Sequence, residues 1–258
     1  MRKRIRALIM RAPGTNCDAE TAFAFREAGA DVALVHINKI IGRGEVLSDY
    51  QIIVIPGGFT YGDDISAGKV FANELRLKLG DDIRVFIERG GLILGICNGF
   101  QVLVKAGFLP GGGKAEQAVT LATNDSGRFE CRWVYLKVNS QSPCLFTEGI
   151  DFMYLPVANG EGKVVTCGES LPDSNIVLTY TDRYGNTSPG YPDDPSGSDG
   201  HIAGICDETG RIFALMPHPE RYVRSTHHPR WTRERERVVE YGDGFAIFRN
   251  AVRWARKI

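Results

Sequence analysis

Apolar residues recur along this chain with two different periods. Ile5 to Met10, Asp31 to Ile37, Gln51 to Ile55 and Leu92 to Ile96 are short aliphatic or β-branched runs of strand length. Between them the spacing becomes helical. Asn16 to Ala28 carries Ala19, Ala22 and Phe23 and stops at Gly29, and Val70 to Leu79 and Ile83 to Arg89 read as two further helical stretches. Asn98 to Ala106 reads as another helix, with Gly107 at its end and Pro110 beyond. Strands alternating with helices predict an α/β fold, an open and mostly parallel sheet with helices on both faces. The second half changes character. Phe129 to Val138, Asp151 to Val157, Lys163 to Cys167, Asn175 to Thr181, His201 to Cys206 and Arg211 to Met216 read as strands separated by turns. These predict a β-rich extension of the same sheet. No low-complexity linker divides the halves, so residues 1–258 are expected to form one domain. Asn186 to Gly200 holds three prolines and reads as a long loop, either functional or a plain surface connection. Asp243 to Trp254 has the spacing of a C-terminal helix.

Composition narrows the function classes. Hydrophobic residues make up 43% and charged residues 24%, and 31 basic residues balance 31 acidic ones. Overall charge therefore recruits neither nucleic acid nor an anionic membrane. The start, MRKRIRALIMRAPG, has too short an apolar segment for a signal peptide, and no run approaches the length of a membrane span. From Arg221 onward ten Lys or Arg face four Asp or Glu, which fits a solvated helix face or a phosphate-binding surface. The six cysteines contain no C-x-x-C pair, so neither a disulfide framework nor a zinc site is expected. A reducing, cytosolic location is the expectation.

Three stretches carry chemistry. In Gly95-Ile96-Cys97-Asn98-Gly99, a cysteine stands between a strand and a helix with a glycine two places to either side. That is the pattern of a nucleophile elbow, whose tight turn leaves no room for side chains at the glycines. The following helix N-terminus favours a thiolate, against a free thiol pKa of about 8.5. The alternative for Cys97 is a buried structural thiol. A thiol nucleophile needs a base. Of the five histidines, His36 ends a strand and reads as structural, and His227 and His228 lie in a polar tail. His218 follows a strand within MPHPERY. Pro217 and Pro219 predict an extended segment that puts Glu220 on the same side as His218, where it would orient the ring. Pro56-Gly57-Gly58-Phe59 follows another strand. There a backbone N–H, together with that of Asn98, would form an oxyanion hole.

PGGF, GICNGFQ and PHPER, in this order, resemble the class I (triad) glutamine amidotransferases and imply their flavodoxin-like fold. GTNCD, GGFTYGDDISAGK, NDSGRFECRW and GFAIFRNAVRW are similar to one branch, the glutaminase subunits of phosphoribosylformylglycinamidine synthase. The resemblance runs from about residue 5 to residue 255. It implies that Cys97 attacks the side-chain amide of glutamine, that His218 moves the proton and that Glu220 orients His218. Backbone at Gly58 and Asn98 would stabilise the oxyanion, and Gln101 and Phe59 would hold the substrate. It further implies that ammonia passes to a separate synthetase subunit in purine biosynthesis. That subunit would bind ATP and Mg and convert formylglycinamide ribonucleotide to its amidine, and a small third subunit could join. The chain itself has no G-x-x-x-x-G-K-[ST] run, so neither cofactor nor metal is expected on it. The long loop is an expected contact with the synthetase.

One position departs from the family. Where AHGEG is usual, this chain reads Ala158-Asn159-Gly160-Glu161-Gly162, so an auxiliary imidazole is missing. Two rival assignments are glutaminases serving cytidylate or anthranilate synthesis, against which the branch-specific stretches argue, and a catalytically inactive module, against which the intact Cys97, His218 and Glu220 argue. A third is the type of cysteine hydrolase with histidine directly after the nucleophile; here that residue is Asn98.

Overall fold

The computed structural model describes residues 4–63, 65–111, 118–167, 171–233 and 240–258. In the first half the elements run β1 (Arg6–Arg11), α1 (Asp18–Glu27), β2 (Asp31–His36), α2 (Ile37–Ile41), β3 (Ile52–Ile55), α3 (Lys69–Glu88), β4 (Leu92–Ile96) and α4 (Asn98–Lys105). There follow β5 (Val119–Ala122), β6 (Glu130–Val138), β7 (Phe152–Asn159), β8 (Lys163–Thr166), β9 (Ile176–Thr181), β10 (Ile202–Cys206), β11 (Ile212–Leu215) and α5 (Phe245–Ala255).

Nine of these strands form one sheet in the order β2-β1-β3-β4-β11-β10-β9-β6-β7. The five strands from β2 to β11 are parallel, and the remaining pairings are antiparallel. Sequence patterning explains this division. β3, β4, β10 and β11 are buried along their whole length, as strands covered on both faces must be. β7, at the edge, alternates buried and more exposed residues. From β1 the chain steps one way to β2 and the other way to β3 and β4. Right-handed crossovers then place α1 and α3 on opposite faces, where α1 packs with α5 and α3 with α4. The loops after β1, β3, β4 and β11 all leave from the carboxyl edge of neighbouring strands, where open α/β sheets bind ligands.

Several sequence expectations change. The two helical stretches after residue 69 are one helix, α3. Leu75, Leu79, Ile83, Phe86 and Ile87 are buried and keep one apolar stripe running past Gly80. An interior glycine costs about 1 kcal/mol, less than burying any one of these side chains contributes. β8, expected in the main sheet, instead pairs with β5 in a separate two-stranded sheet. Neither β5 nor the five-residue α2 was apparent from periodicity, because each is too short to establish one. His36 is exposed, and its Nδ1 accepts from the Asn38 N–H, capping α2. His228 does not lie on a polar surface: it is buried, with its ring 4.6 Å from that of Trp133 and close to Tyr154 and Tyr222. Residues 234–239 of the basic tail lie outside the described residues. No helix among the described residues is long and apolar enough to cross a membrane.

The 186–200 loop is organised from within. Asp194 is buried, and its Oδ1 accepts from the N–H and hydroxyl of Ser196, both at 3.2 Å, and from the Gly197 N–H at 2.9 Å. Its Oδ2 lies 2.8 Å from His201 Nδ1. Ser198 Oγ accepts from the Val164 N–H of β8. Asp194→Ala leaves one buried and one half-buried N–H group without their acceptor. It is expected to cost about 2–4 kcal/mol, read as a lower midpoint of urea unfolding with an unchanged slope.

Candidate active site

The elbow forms because two glycines let three segments meet. A Cβ on Gly99 would stand 1.9 Å from the carbonyl oxygen of Ile55 at the end of β3, and one on Gly95 would stand 2.8 Å from the Gly99 carbonyl oxygen. Cys97, between them, has φ 51 and ψ −104, a strained backbone for a residue with a side chain. Such strain costs about 1–3 kcal/mol and persists only where surrounding bonds fix it. Here the Cys97 N–H donates to the Leu215 carbonyl of β11 at 2.8 Å, and the Cys97 carbonyl accepts from Phe100 and Gln101. The thiol is thus held at the N-terminus of α4, 6% exposed, with its Sγ 3.8 Å from the Ala158 carbonyl oxygen.

His218 reaches the same place through β11. Leu215 pairs with Ile96, so the chains that continue beyond β4 and β11 leave side by side. The segment after His218 is not extended, as the prolines suggested. Pro219–Arg221 is a short 3-10 turn, and this turn brings Glu220 Oε1 within 2.5 Å of His218 Nδ1. Both side chains are buried. Burial is the largest single influence and opposes a charged ring, but the Glu220 carboxylate, Cys97 and Cys17 together outweigh it. The His218 pKa therefore stands well above the ordinary histidine value. Its Nε2 is buried without a hydrogen-bond partner among the described residues, so it is the ring nitrogen not already engaged.

Gly57 and Gly58 follow β3. A Cβ on Gly57 would come 2.9 Å from His218 Cε1, and Gly58 takes φ 154 with Gly14 and Asn16 packed against it. The bonds that tie this turn to the loop after β1 use the N–H groups of Asn16, Cys17 and Phe59. Those of Gly58 and Asn98 have no acceptor among the described residues. The Asn98 side chain does what the sequence did not suggest. Its Oδ1 accepts from the Thr60 hydroxyl at 2.6 Å and from the Thr60 N–H at 3.3 Å, and its Nδ2 donates to Gln101 Oε1 at 2.9 Å. Gln101 in turn donates to the Glu161 carbonyl at 2.6 Å. Gln101 lines the cavity, but both ends of its amide are engaged within the protein.

Cys97 and His218 open onto a cavity of about 500 Å³ whose wall also includes Phe59, Gln101, Asn159 and Arg221. That volume suits a small molecule. Phe59 is 49% exposed, at the mouth. A slightly larger cavity, about 550 Å³, lies beside Tyr191, Pro195 and His201 and includes neither Cys97 nor His218. Sequence reasoning missed Cys17, Lys105 and Arg221. Cys17 sits in the GTNCD stretch and has its sulfur 4.0 Å from His218 Nδ1. Lys105 donates to Ala67 O and pairs with Glu161 at 2.9 Å, tying α4 to the cavity rim. Their partners are remote in sequence, so no local spacing betrays them.

A family model described as a CobB/CobQ-like glutamine amidotransferase domain matches residues 4–255. Phosphoribosylformylglycinamidine synthase subunit PurQ of Dehalococcoides mccartyi is 56% identical over 255 residues, spanning 99% of each chain. The subunit of the same name from Methanococcus maripaludis is 44% identical over 267 residues, spanning 98% of each. Among solved structures, a chain of PurLQS from Thermotoga maritima is similar with a TM-score of 0.74 and 32% identity, over 98% of this chain and 99% of that one. A glutamine amidotransferase from the same bacterium shares the fold at 16% identity and a TM-score of 0.56. The chain belongs to the class I glutamine amidotransferases and, within them, to the PurQ family of glutaminase subunits of phosphoribosylformylglycinamidine synthase.

Proposed function

We propose that Cys97, His218 and Glu220 hydrolyse glutamine to glutamate and ammonia, and that residues 1–258 act as one catalytic unit. The observation that carries this reading is the convergence of the Cys97 elbow and the His218–Glu220 pair on one cavity, from adjacent strand ends. Cys97 gives its proton to His218 and attacks the side-chain amide carbon of glutamine. Glu220 holds the resulting imidazolium. The N–H groups of Gly58 and Asn98 receive the oxyanion of the tetrahedral intermediate. His218 then protonates the departing nitrogen, which leaves as ammonia and a glutamyl thioester on Cys97. Water, deprotonated by His218, releases glutamate and restores the thiol. Phe59 and Gln101 border the substrate, Gln101 by shaping the wall through its ties to Asn98 and Glu161.

The ammonia goes to a separate synthetase subunit that binds ATP and Mg and forms the amidine of formylglycinamide ribonucleotide, with a small third subunit in the complex. The PurQ relatives and the PurLQS structure support this assignment. The cytosol, where the chain's free thiols stay reduced, is the compartment this chemistry fits. The 186–200 loop is our candidate contact with the synthetase. Because Asp194, Ser196 and Ser198 are buried, its exposed Tyr191 is the residue to change.

Three outcomes are expected. In the assembled complex, Cys97→Ala abolishes glutamine-dependent synthesis and leaves ammonia-dependent synthesis intact; loss of both, or of neither, refutes the assignment. Asn98→Ala frees the 57–60 loop and misplaces one oxyanion donor. Its kcat for glutamate release should fall roughly 10–100-fold, short of the effect of deleting a donor outright, and an unchanged kcat would remove the loop-clamp reading. Tyr191→Ala should weaken assembly with the synthetase on gel filtration, with only a small drop in unfolding midpoint from the lost contacts of Arg132 with the Tyr191 hydroxyl and ring; an undiminished complex would count against that surface.

A further inference from the structure

Cys17 occupies the N-cap position of α1 without a side-chain capping bond, and the proposed hydrolysis does not use it. Its side chain is 2% exposed. Sγ donates to Asn16 Oδ1 at 3.1 Å and accepts from Arg221 Nη2 at 3.2 Å. Cys17, His218 and Glu220 bring one ligand-type atom each within 4.8 Å of one another. The positive charge facing this group is the Arg221 guanidinium. Arg221 Nε lies 3.8 Å from Glu220 Oε1, the oxygen that also accepts from His218 Nδ1 at 2.5 Å. Two cationic groups therefore face one buried carboxylate oxygen, and Glu220 Oε2 has no hydrogen-bond partner among the described residues.

The distances show which of them holds it. At 3.8 Å the guanidinium is outside hydrogen-bond reach of Glu220, whereas at 3.2 Å it is bonded to sulfur. A guanidinium free to close on that carboxylate would form a forked pair, among the strongest of charge-assisted hydrogen bonds. It would then draw on the charge that now serves His218. We propose that Cys17 is a positioning residue for the catalytic base: its thiol holds Arg221 short of Glu220 and so reserves the carboxylate for His218. This rests on His218 acting as the base. Gly57 fixes the arrangement, because a Cβ there would stand 2.9 Å from His218 Cε1 and 3.2 Å from Cys17 Sγ, so sulfur and ring share one close wall. The titratable groups facing the ring are Cys97 from the β4–α4 turn, Cys17 from the start of α1, and Glu220 from its own turn, while the Arg221 guanidinium faces Cys17 and Glu220.

The test is the pH profile of glutamate release by the assembled complex. In Cys17→Ala, Arg221 closes on Glu220 and His218 becomes less basic. Its alkaline limb, where the Cys97–His218 pair loses its last proton, moves to lower pH. kcat falls about 10-fold, a fraction of what a general base supplies, while KM for glutamine holds. Cys17→Ser, whose hydroxyl still accepts from Arg221, restores the wild-type limb. Arg221→Gln, which leaves Cys17 in place, moves the limb the opposite way. An unmoved limb in Cys17→Ala or in Arg221→Gln overturns the proposal, as does an equal loss in Cys17→Ala and Cys17→Ser, which would mark simple packing. If His218 is not the base, His218→Ala retains glutaminase activity, which separates that failure from this one.

Discussion

The parallel pairing of β11 with β4 is the constraint on which the rest of the site depends. Chain order puts His218 more than a hundred residues after Cys97. The register Leu215 to Ile96 nonetheless releases both from the same edge of the sheet, one strand apart. The pairing also acts directly on Cys97, because the Cys97 N–H bonds to the Leu215 carbonyl. One strand thus delivers His218 and fixes the strained backbone of Cys97. The extension β10-β9-β6-β7 continues from the far side of β11, so the β-rich half of the chain buries and positions the strand that leads to His218.

Strain at Cys97 and burial of a charged pair at His218 and Glu220 both oppose folding. About 1–3 kcal/mol is held at the elbow, and a buried ion pair is favourable only with close geometry. The structure meets both demands with short, local contacts. Gly99 lets α4 press against Ile55, Gly57 lets the turn after β3 press against His218, and the 2.5 Å bond satisfies Nδ1. The sign of the histidine shift has a consequence for stability. A histidine raised by a partner stabilises the fold at pH values below its unfolded pKa, and that contribution is lost as pH rises through the raised, folded value. The His218–Glu220 pair therefore adds to stability on the acidic side.

Much of this was legible in the residues. The elbow could be read because its requirement is local: a strand, two glycines at fixed offsets and a helix. The pairing of His218 with Glu220 was also legible, although the geometry was not. A proline on each side suggested extended chain, whereas Pro219 begins a 3-10 turn. What stayed hidden depends on contacts between remote segments. Nothing near Cys17 in sequence indicates that Arg221 lies 3.2 Å from its sulfur. Nothing near Asn98 shows that its carboxamide will hold Thr60. His228 looked polar because its neighbours are, and it is buried because Trp133, Tyr154 and Tyr222 arrive from β6, β7 and the turn after His218.

The turn at residues 158–162 shows how a site can keep its form when one side chain departs from the family pattern. Asn159 stands where that pattern has histidine. Its carbonyl accepts from Asn124 Nδ2, and its own Oδ1 is buried without a partner among the described residues. The work of the turn is done by neighbours. The Ala158 carbonyl faces the Cys97 sulfur, the Glu161 carbonyl accepts from Gln101, and the Glu161 carboxylate pairs with Lys105 at the end of α4. Main-chain carbonyls and one ion pair thus bind this turn to Cys97 and the helix that follows it. Those ties use the backbone of residue 158 and Glu161, not the side chain at 159. An imidazole there can be lost without loosening the wall around Cys97.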